Sequence, residues 1–195
     1  MIDTKLISQL RDKTGAGIGD CKKALEAANG DIDNAVEGLR KTGAIKAAKK
    51  SNERTTKAGL VGSYLHGEGR IGALVSVACE TDFVARTDDF KNLVKELAMQ
   101  VAAMNPLCVK PEDVSENVLN KEKEVYQEQL KKEGKPENIW DKIIEGKIAK
   151  YYEDVCLLNQ PYMKDEDKKI SDVINEAIAK TGEKIEVKEI ARFQI

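Results

Sequence analysis

The chain has 195 residues, of which 41% are hydrophobic, 34% charged and 5% aromatic, enough for one domain of ordinary size plus a small accessory module. Its 32 basic and 34 acidic side chains leave a formal charge of -2, which excludes a polycation built to lie along phosphate backbones, so any nucleic-acid contact has to be local. No apolar run approaches the roughly 20 residues that cross a bilayer, and Met1 to Lys5 lacks the apolar stretch of a signal peptide, so a soluble, cytoplasmic protein with no membrane partner is expected.

Residues 1–42 carry three short helical patterns. Ile2, Leu6 and Leu10 share one face, then Cys21, Ala24 and Leu25, then Ile32, Ala35, Val36 and Leu39. Thr14-Gly15-Ala16-Gly17 ends the first, Asn29-Gly30-Asp31 ends the second and caps the third, and Thr42-Gly43 closes the third. A three-helix module of this size has a very small core and is marginally stable alone, so it is expected to dock on a helix of another protein. Residues 43–57 read as a basic linker: from Lys41 to Lys57, the cations Lys46, Lys49, Lys50 and Arg54 are opposed by Glu53 alone. The stretch holds no aromatic residue to stack on bases, which argues against nucleic-acid binding. A ribosome- or nucleic-acid-binding adaptor using segment 41–57 is the alternative reading.

The remainder, 58–195, reads as an α+β core. The period changes to two over Ala58–Leu65 and Ile71–Glu80, a β-hairpin whose turn is His66-Gly67-Glu68-Gly69-Arg70. Gly67, Gly69 and Gly72 match G-x-G-x-x-G, but a dinucleotide fingerprint needs glycines that open a helix, and these join two strands. No direct nucleotide binding is expected. Thr87 or Asp88 caps a helix that buries Phe90, Leu93, Val94, Leu97, Val101 and Ala102, and Leu107-Cys108-Val109 is a candidate short strand. A charged helix from about Ser115 to Lys132 and another from Pro136 through Val155, joined at Glu133-Gly134-Lys135, predict an antiparallel helical pair at about 115–156. Asn159-Gln160-Pro161 ends it. A last helix carries Ile170, Val173, Ile174, Ala177 and Ile178 as far as Thr181-Gly182, and Lys184–Ile195 alternates as a final strand. The expected architecture is an antiparallel sheet covered on one side by helices.

Four cysteines, Cys21, Cys79, Cys108 and Cys156, stand far apart in sequence with a single histidine, His66. That spacing opposes a structural zinc site, and the four read as reduced, mostly buried small hydrophobes, so no metal or cofactor is expected. A Cys79–His66 nucleophile pair lacks an orienting motif, and Glu80 with Asp82 lacks an electrophile-binding group. Covalent chemistry is therefore not expected, and a thiol enzyme centred on Cys79 is a third reading. The informative stretch is Glu80-Thr81-Asp82-Phe83-Val84-Ala85-Arg86. A strand-to-helix connection is ordinarily polar, yet this one holds one of only three phenylalanines. Either Phe83 staples the helix start against the sheet, or it is an exposed apolar finger beside a carboxylate, shaped to anchor in a pocket on a partner.

Leu10-Arg11-x-x-Thr14-Gly15-Ala16-Gly17, then Asp20-Cys21-Lys22-Lys23-Ala24-Leu25, the turn His66 to Ile71, and Glu80 to Arg86 resemble, in this order, the bacterial translation elongation factor Ts family. Lys110-Pro111-Glu112-Asp113-Val114, Asn159-Gln160-Pro161-Tyr162 and Arg192-Phe193 extend the likeness over essentially the whole chain. The resemblance implies a guanine-nucleotide exchange factor of translation elongation, without covalent chemistry, that binds elongation factor Tu carrying GDP and promotes GDP release by disturbing Mg2+ coordination. It also implies a UBA-like three-helix module. By the same resemblance Thr81, Asp82, Phe83 and Val84 act on the magnesium region of the GTPase domain, Phe83 wedging between its helices with Asp82 beside it, while Arg11, Ile18 and Gly19 dock on another helix. Longer members carry the hairpin-and-helix unit twice and extend beyond the last strand. With one unit here, either a second copy completes the contact surface as a homodimer or affinity for elongation factor Tu is lower. Ile18-Gly19 also replaces the bulkier apolar pair usual in the family.

Overall fold

The computed structural model describes residues 3–14 and 16–195, with side chains described outside 43–53. Ile2 and Gly15, placed above on a helix face and a helix end, lie outside the described residues, as do the side chains of Lys46, Lys49 and Lys50.

Three helices, α1 (Thr4–Thr14), α2 (Ile18–Ala27) and α3 (Ile32–Glu53), pack around Leu10, Cys21, Leu25 and Ala35, with Leu6, Ile32, Val36 and Leu39 closing the cluster. The turn between α2 and α3 needs left-handed backbone at Asn29 and Gly30, and Asp31 caps α3 by accepting from the Asn34 amide at 3.0 Å. α3 does not close at Thr42-Gly43. A lone glycine costs a helix only ~1 kcal/mol against alanine, too little to stop it, and the backbone stays helical to Glu53. α3 also lies along α8 (Ile170–Thr181), where Arg40 stands 3.6 Å from Asp172.

Strands β1 (Ala58–His66), β2 (Ile71–Cys79) and β5 (Ile185–Gln194) form one antiparallel sheet in the order β1-β2-β5. Ala58 and Ile185 both pair with Cys79, and the β2–β5 register shifts between Ser76 and Val77. One sheet face, carrying Ala73, Val75, Val77 and Val187, is buried beneath α5 (Asp88–Met104) and α8. The opposite face, with Val61, Leu65, Leu74 and Phe193, is exposed. The molecule is thus α+β, with helices on one side of a small antiparallel sheet.

Gly62 permits the close approach of β1 to α5. A Cβ there would overlap Val94 Cγ1 and come within 3.1 Å of the Val94 carbonyl oxygen. Gly62→Ala is therefore expected to lower stability by about 1–3 kcal/mol through overpacking, read as a lower urea midpoint with an unchanged slope.

The helical pair is α6 (Glu116–Lys132) and α7 (Trp140–Val155), packed through Leu130, Ile144 and Ile148. Gly134 supplies the left-handed turn between them, and a short 3-10 turn, Glu137–Ile139, precedes α7 where a continuous helix from Pro136 was expected. Leu107-Cys108-Val109 makes no full strand, only a parallel bridge between Cys108 and Cys156. A two-stranded hairpin, β3 (Pro161–Tyr162) and β4 (Asp165–Lys169), follows the pair and was not foreseen, because Asp165-Glu166-Asp167-Lys168-Lys169 has no apolar alternation to announce a strand.

Two fully buried amides tie this region to α5. Gln100 Nε2 donates to Gln160 Oε1 at 3.3 Å and to the Pro161 carbonyl at 3.0 Å, while its Oε1 accepts from the Met163 amide at 3.0 Å. Gln160 Nε2 donates to the carbonyls of Asp154 at 2.9 Å and Met104 at 3.4 Å. Every polar atom of the pair is thereby satisfied, as burial requires.

Candidate functional site

β2 ends at Cys79, and the chain turns through Thr81 into a four-residue helix, α4 (Asp82–Ala85). Val84, 6% exposed, and Ala85, 4% exposed, belong to the main core. With those two anchored inward, the tight turn projects Asp82 and Phe83 outward, and the Phe83 ring is 82% exposed. Phe83 does not staple the helix start to the sheet. Phe90, 1% exposed, fills the core at the start of α5, whose first turn is capped by Thr87 Oγ1 accepting from the Phe90 amide at 3.3 Å. Val84, grouped with the contact residues on sequence grounds, is the anchor of the turn, which leaves Thr81, Asp82 and Phe83 as its exposed members.

The turn is fastened by a residue that the sequence pattern did not single out. Glu183 Oε2 accepts from the backbone amides of Glu80 at 3.2 Å and Thr81 at 3.0 Å, and its Oε1 accepts from the Thr81 hydroxyl at 2.6 Å. The same hydroxyl oxygen accepts from the Val84 amide at 3.4 Å, so Thr81 couples the clamp to α4. Glu80 is also engaged: its Oε1 accepts from the Lys184 amide at 2.6 Å, and its carboxylate holds Arg54 Nη1 at 3.1 Å. Glu80 is thus a structural acceptor, and the Glu80–Asp82 acid/base arrangement has no free partner on the Glu80 side. Because β5 starts opposite Cys79, Glu183 falls beside Thr81. That juxtaposition depends on strand register, which local sequence does not carry.

Charge-assisted hydrogen bonds of this kind each contribute about 1.5–3 kcal/mol. Glu183→Ala is expected to unfasten the turn without unfolding the protein. Hydrogen exchange at the Glu80 and Thr81 amides should accelerate about tenfold or more, with protection in α5 unchanged.

The second set of candidate residues lies on other elements. Arg11 is exposed on α1, Ile18 is exposed as the first residue of α2, and Gly19 follows it with open space where a side chain would stand. The structure does not bring His66 and Cys79 together: they sit at opposite ends of the β1–β2 hairpin, roughly 26 Å apart along the strand direction. Cys79 is fully buried, donates to the Thr81 carbonyl at 3.2 Å, and burial pushes its thiol pKa up, all of which oppose a nucleophilic role. Among the described residues no group of three or more His, Cys, Asp or Glu side chains could hold a metal ion, and no helix is long and apolar enough to cross a membrane.

The family model for elongation factor TS matches residues 31–195. Elongation factor Ts of Thermosipho melanesiensis is 54% identical over 195 residues, covering 100% of this chain and 99% of that protein. Elongation factor Ts of Thermotoga petrophila is 58% identical over 194 residues, covering 100% and 96%, and that of Caldanaerobacter subterraneus is 52% identical over 194 residues with the same coverage.

Proposed function

The chain belongs to the elongation factor Ts family, and from that premise we propose that it is a guanine-nucleotide exchange factor for elongation factor Tu, acting in the cytoplasm during translation elongation. The observation that carries this reading is the Phe83 ring, 82% exposed on a turn that Val84 and Glu183 hold in place. An apolar ring presented this way costs solvation and gains nothing for the fold, which is the signature of an anchor for a partner's pocket. Entering between helices that support the bound Mg2+ of the GTPase domain, Phe83 would move them. Asp82 and Thr81 border the ring and orient the contact. Mg2+ joins nucleotide phosphates to protein, so displacing its supports weakens GDP binding without any covalent step.

The UBA-like module α1–α3 supplies a second contact through Arg11, Ile18 and Gly19, adding affinity rather than acting on the magnesium region. The exposed sheet face of Val61, Leu65, Leu74 and Phe193 suits a second copy of the chain, related by a two-fold axis, that completes the partner surface as a homodimer. No observation favours the nucleic-acid adaptor, and Arg54, one of its cations, is committed to Glu80.

Stopped-flow release of a fluorescent GDP from elongation factor Tu tests the proposal. Release should accelerate with added protein, excess Mg2+ should oppose the acceleration, and GDP should dissociate the isolated complex, since linkage makes the antagonism reciprocal. A complex indifferent to saturating GDP overturns the exchange-factor reading.

A further inference from the structure

Beyond exchange itself, we propose that Cys108 and Cys156 are an oxidisable dithiol whose disulfide locks the neck of the helical pair. The neck is where the chain leaves the core near Leu107–Val109 and returns near Val155–Leu158. There the two segments run side by side: the Leu107 and Cys108 amides donate to the Val155 carbonyl at 2.8 and 3.2 Å, Leu157 donates to the Cys108 carbonyl at 3.0 Å, and Leu158 donates to that of Val109 at 3.0 Å. Cys108 and Cys156 are the bridge partners of this short ladder. Ladder neighbours lie ~4.8 Å apart, inside the 4.4–6.8 Å Cα span that a disulfide needs.

The side chains already face each other. The two Sγ atoms are 3.4 Å apart with both thiols free, so the bond requires closure by roughly 1.4 Å, a movement within reach of side-chain rotation. Competing pairings are blocked, since Cys21 is sealed in the three-helix cluster and Cys79 in the sheet core. Cys156 is fully buried and Cys108 half-buried beside exposed Leu107 and Lys110, which makes Cys108 the thiol that a reagent reaches and Cys156 the one that resolves. Burial lifts the pKa of both, that of Cys156 to about 12. Scarcity of thiolate makes the reaction slow near neutrality, a matter of rate and not of equilibrium.

The chemistry is thiol–disulfide exchange with a small-molecule disulfide. Cys108 thiolate attacks one sulfur of the reagent and expels one thiolate. Cys156, deprotonated in turn, attacks the Cys108 sulfur and expels the second. The protein dithiol loses two electrons and two protons, and the reagent disulfide becomes two thiols. The new bond closes a loop with a sequence separation of 48, which contains both α6 and α7, so oxidation fastens the whole helical pair at its base.

The test equilibrates the reduced full-length protein in buffers of oxidised and reduced glutathione, followed by acid quench, alkylation and peptide mapping by mass spectrometry. The expected product has lost two of its four alkylatable thiols, carries one crosslinked peptide pair containing Cys108 and Cys156, and melts several degrees above the reduced form. Cys108→Ser, at the half-buried position, should fold and show neither the crosslink nor the oxidant-dependent rise in melting temperature. Cys108 halting as a lasting glutathione adduct overturns the proposal. So does retention of four free thiols under oxidant that closes the pair in urea-unfolded chain.

Discussion

Phe83→Ala is expected to melt within a degree or two of the wild type and yet lose most of its acceleration of GDP release. The ring is 82% exposed, so its removal opens no cavity, and surface truncations of this kind shift stability by about 0.5 kcal/mol or less. An aromatic anchor seated in a partner's pocket, in contrast, commonly accounts for about 2 kcal/mol or more when truncated, a loss on the order of 30-fold. On the proposed mechanism the loss should fall on the maximal rate at saturating protein, because there the ring would favour the magnesium-disturbed conformation of elongation factor Tu over the closed one. Asp82→Ala should be milder, since on that mechanism the ring would still supply the displacing volume. Wild-type exchange by a folded Phe83→Ala protein would remove Phe83 from the mechanism.

Phe90→Ala, seven positions on, should fail in the opposite way. Phe90 is 1% exposed and packs in the cluster that includes Val84, Leu93 and Val94. Truncating a buried phenylalanine costs about 3–5 kcal/mol, against a total of about 5–15 kcal/mol for a typical domain. Urea unfolding should show a large drop in midpoint at constant slope. The fraction that stays folded at low temperature should exchange GDP normally. A change below about 1 kcal/mol would mean that α5 does not rest on this side chain as described.

The two phenylalanines also show what was legible beforehand. The face of α5 that contains Phe90 repeats at helical spacing and starts at a threonine cap, both local signals, and the structure buries the residues that this pattern marks. Phe83 had two readings because spacing cannot tell a staple from a finger. What separates them is the inward placement of Val84 and Ala85, a tertiary fact. Glu183 was invisible for a related reason: its role comes from the pairing of β5 with β2, between residues about a hundred positions apart. The same holds for the cysteines. Cys108 and Cys156 look unrelated in sequence, and they meet because an antiparallel helical pair returns the chain to where it left. The end of α3 was misplaced because a helix breaker acts through a small propensity difference that a longer helix absorbs.

The buried Gln100–Gln160 arrangement carries one more consequence. Its donors and acceptors are uncharged amides, so neither acid nor added electrolyte acts on it directly. The three-helix module is attached differently, with the Arg40–Asp172 ion pair reaching from α3 to α8 at a partly exposed site, where mobile ions screen the attraction. Ionic strength therefore acts unevenly on the molecule. Raising it weakens the Arg40–Asp172 link of the module and the exposed Lys169–Glu153 ion pair at the end of α7, while the buried amide tie at the base of the helical pair persists.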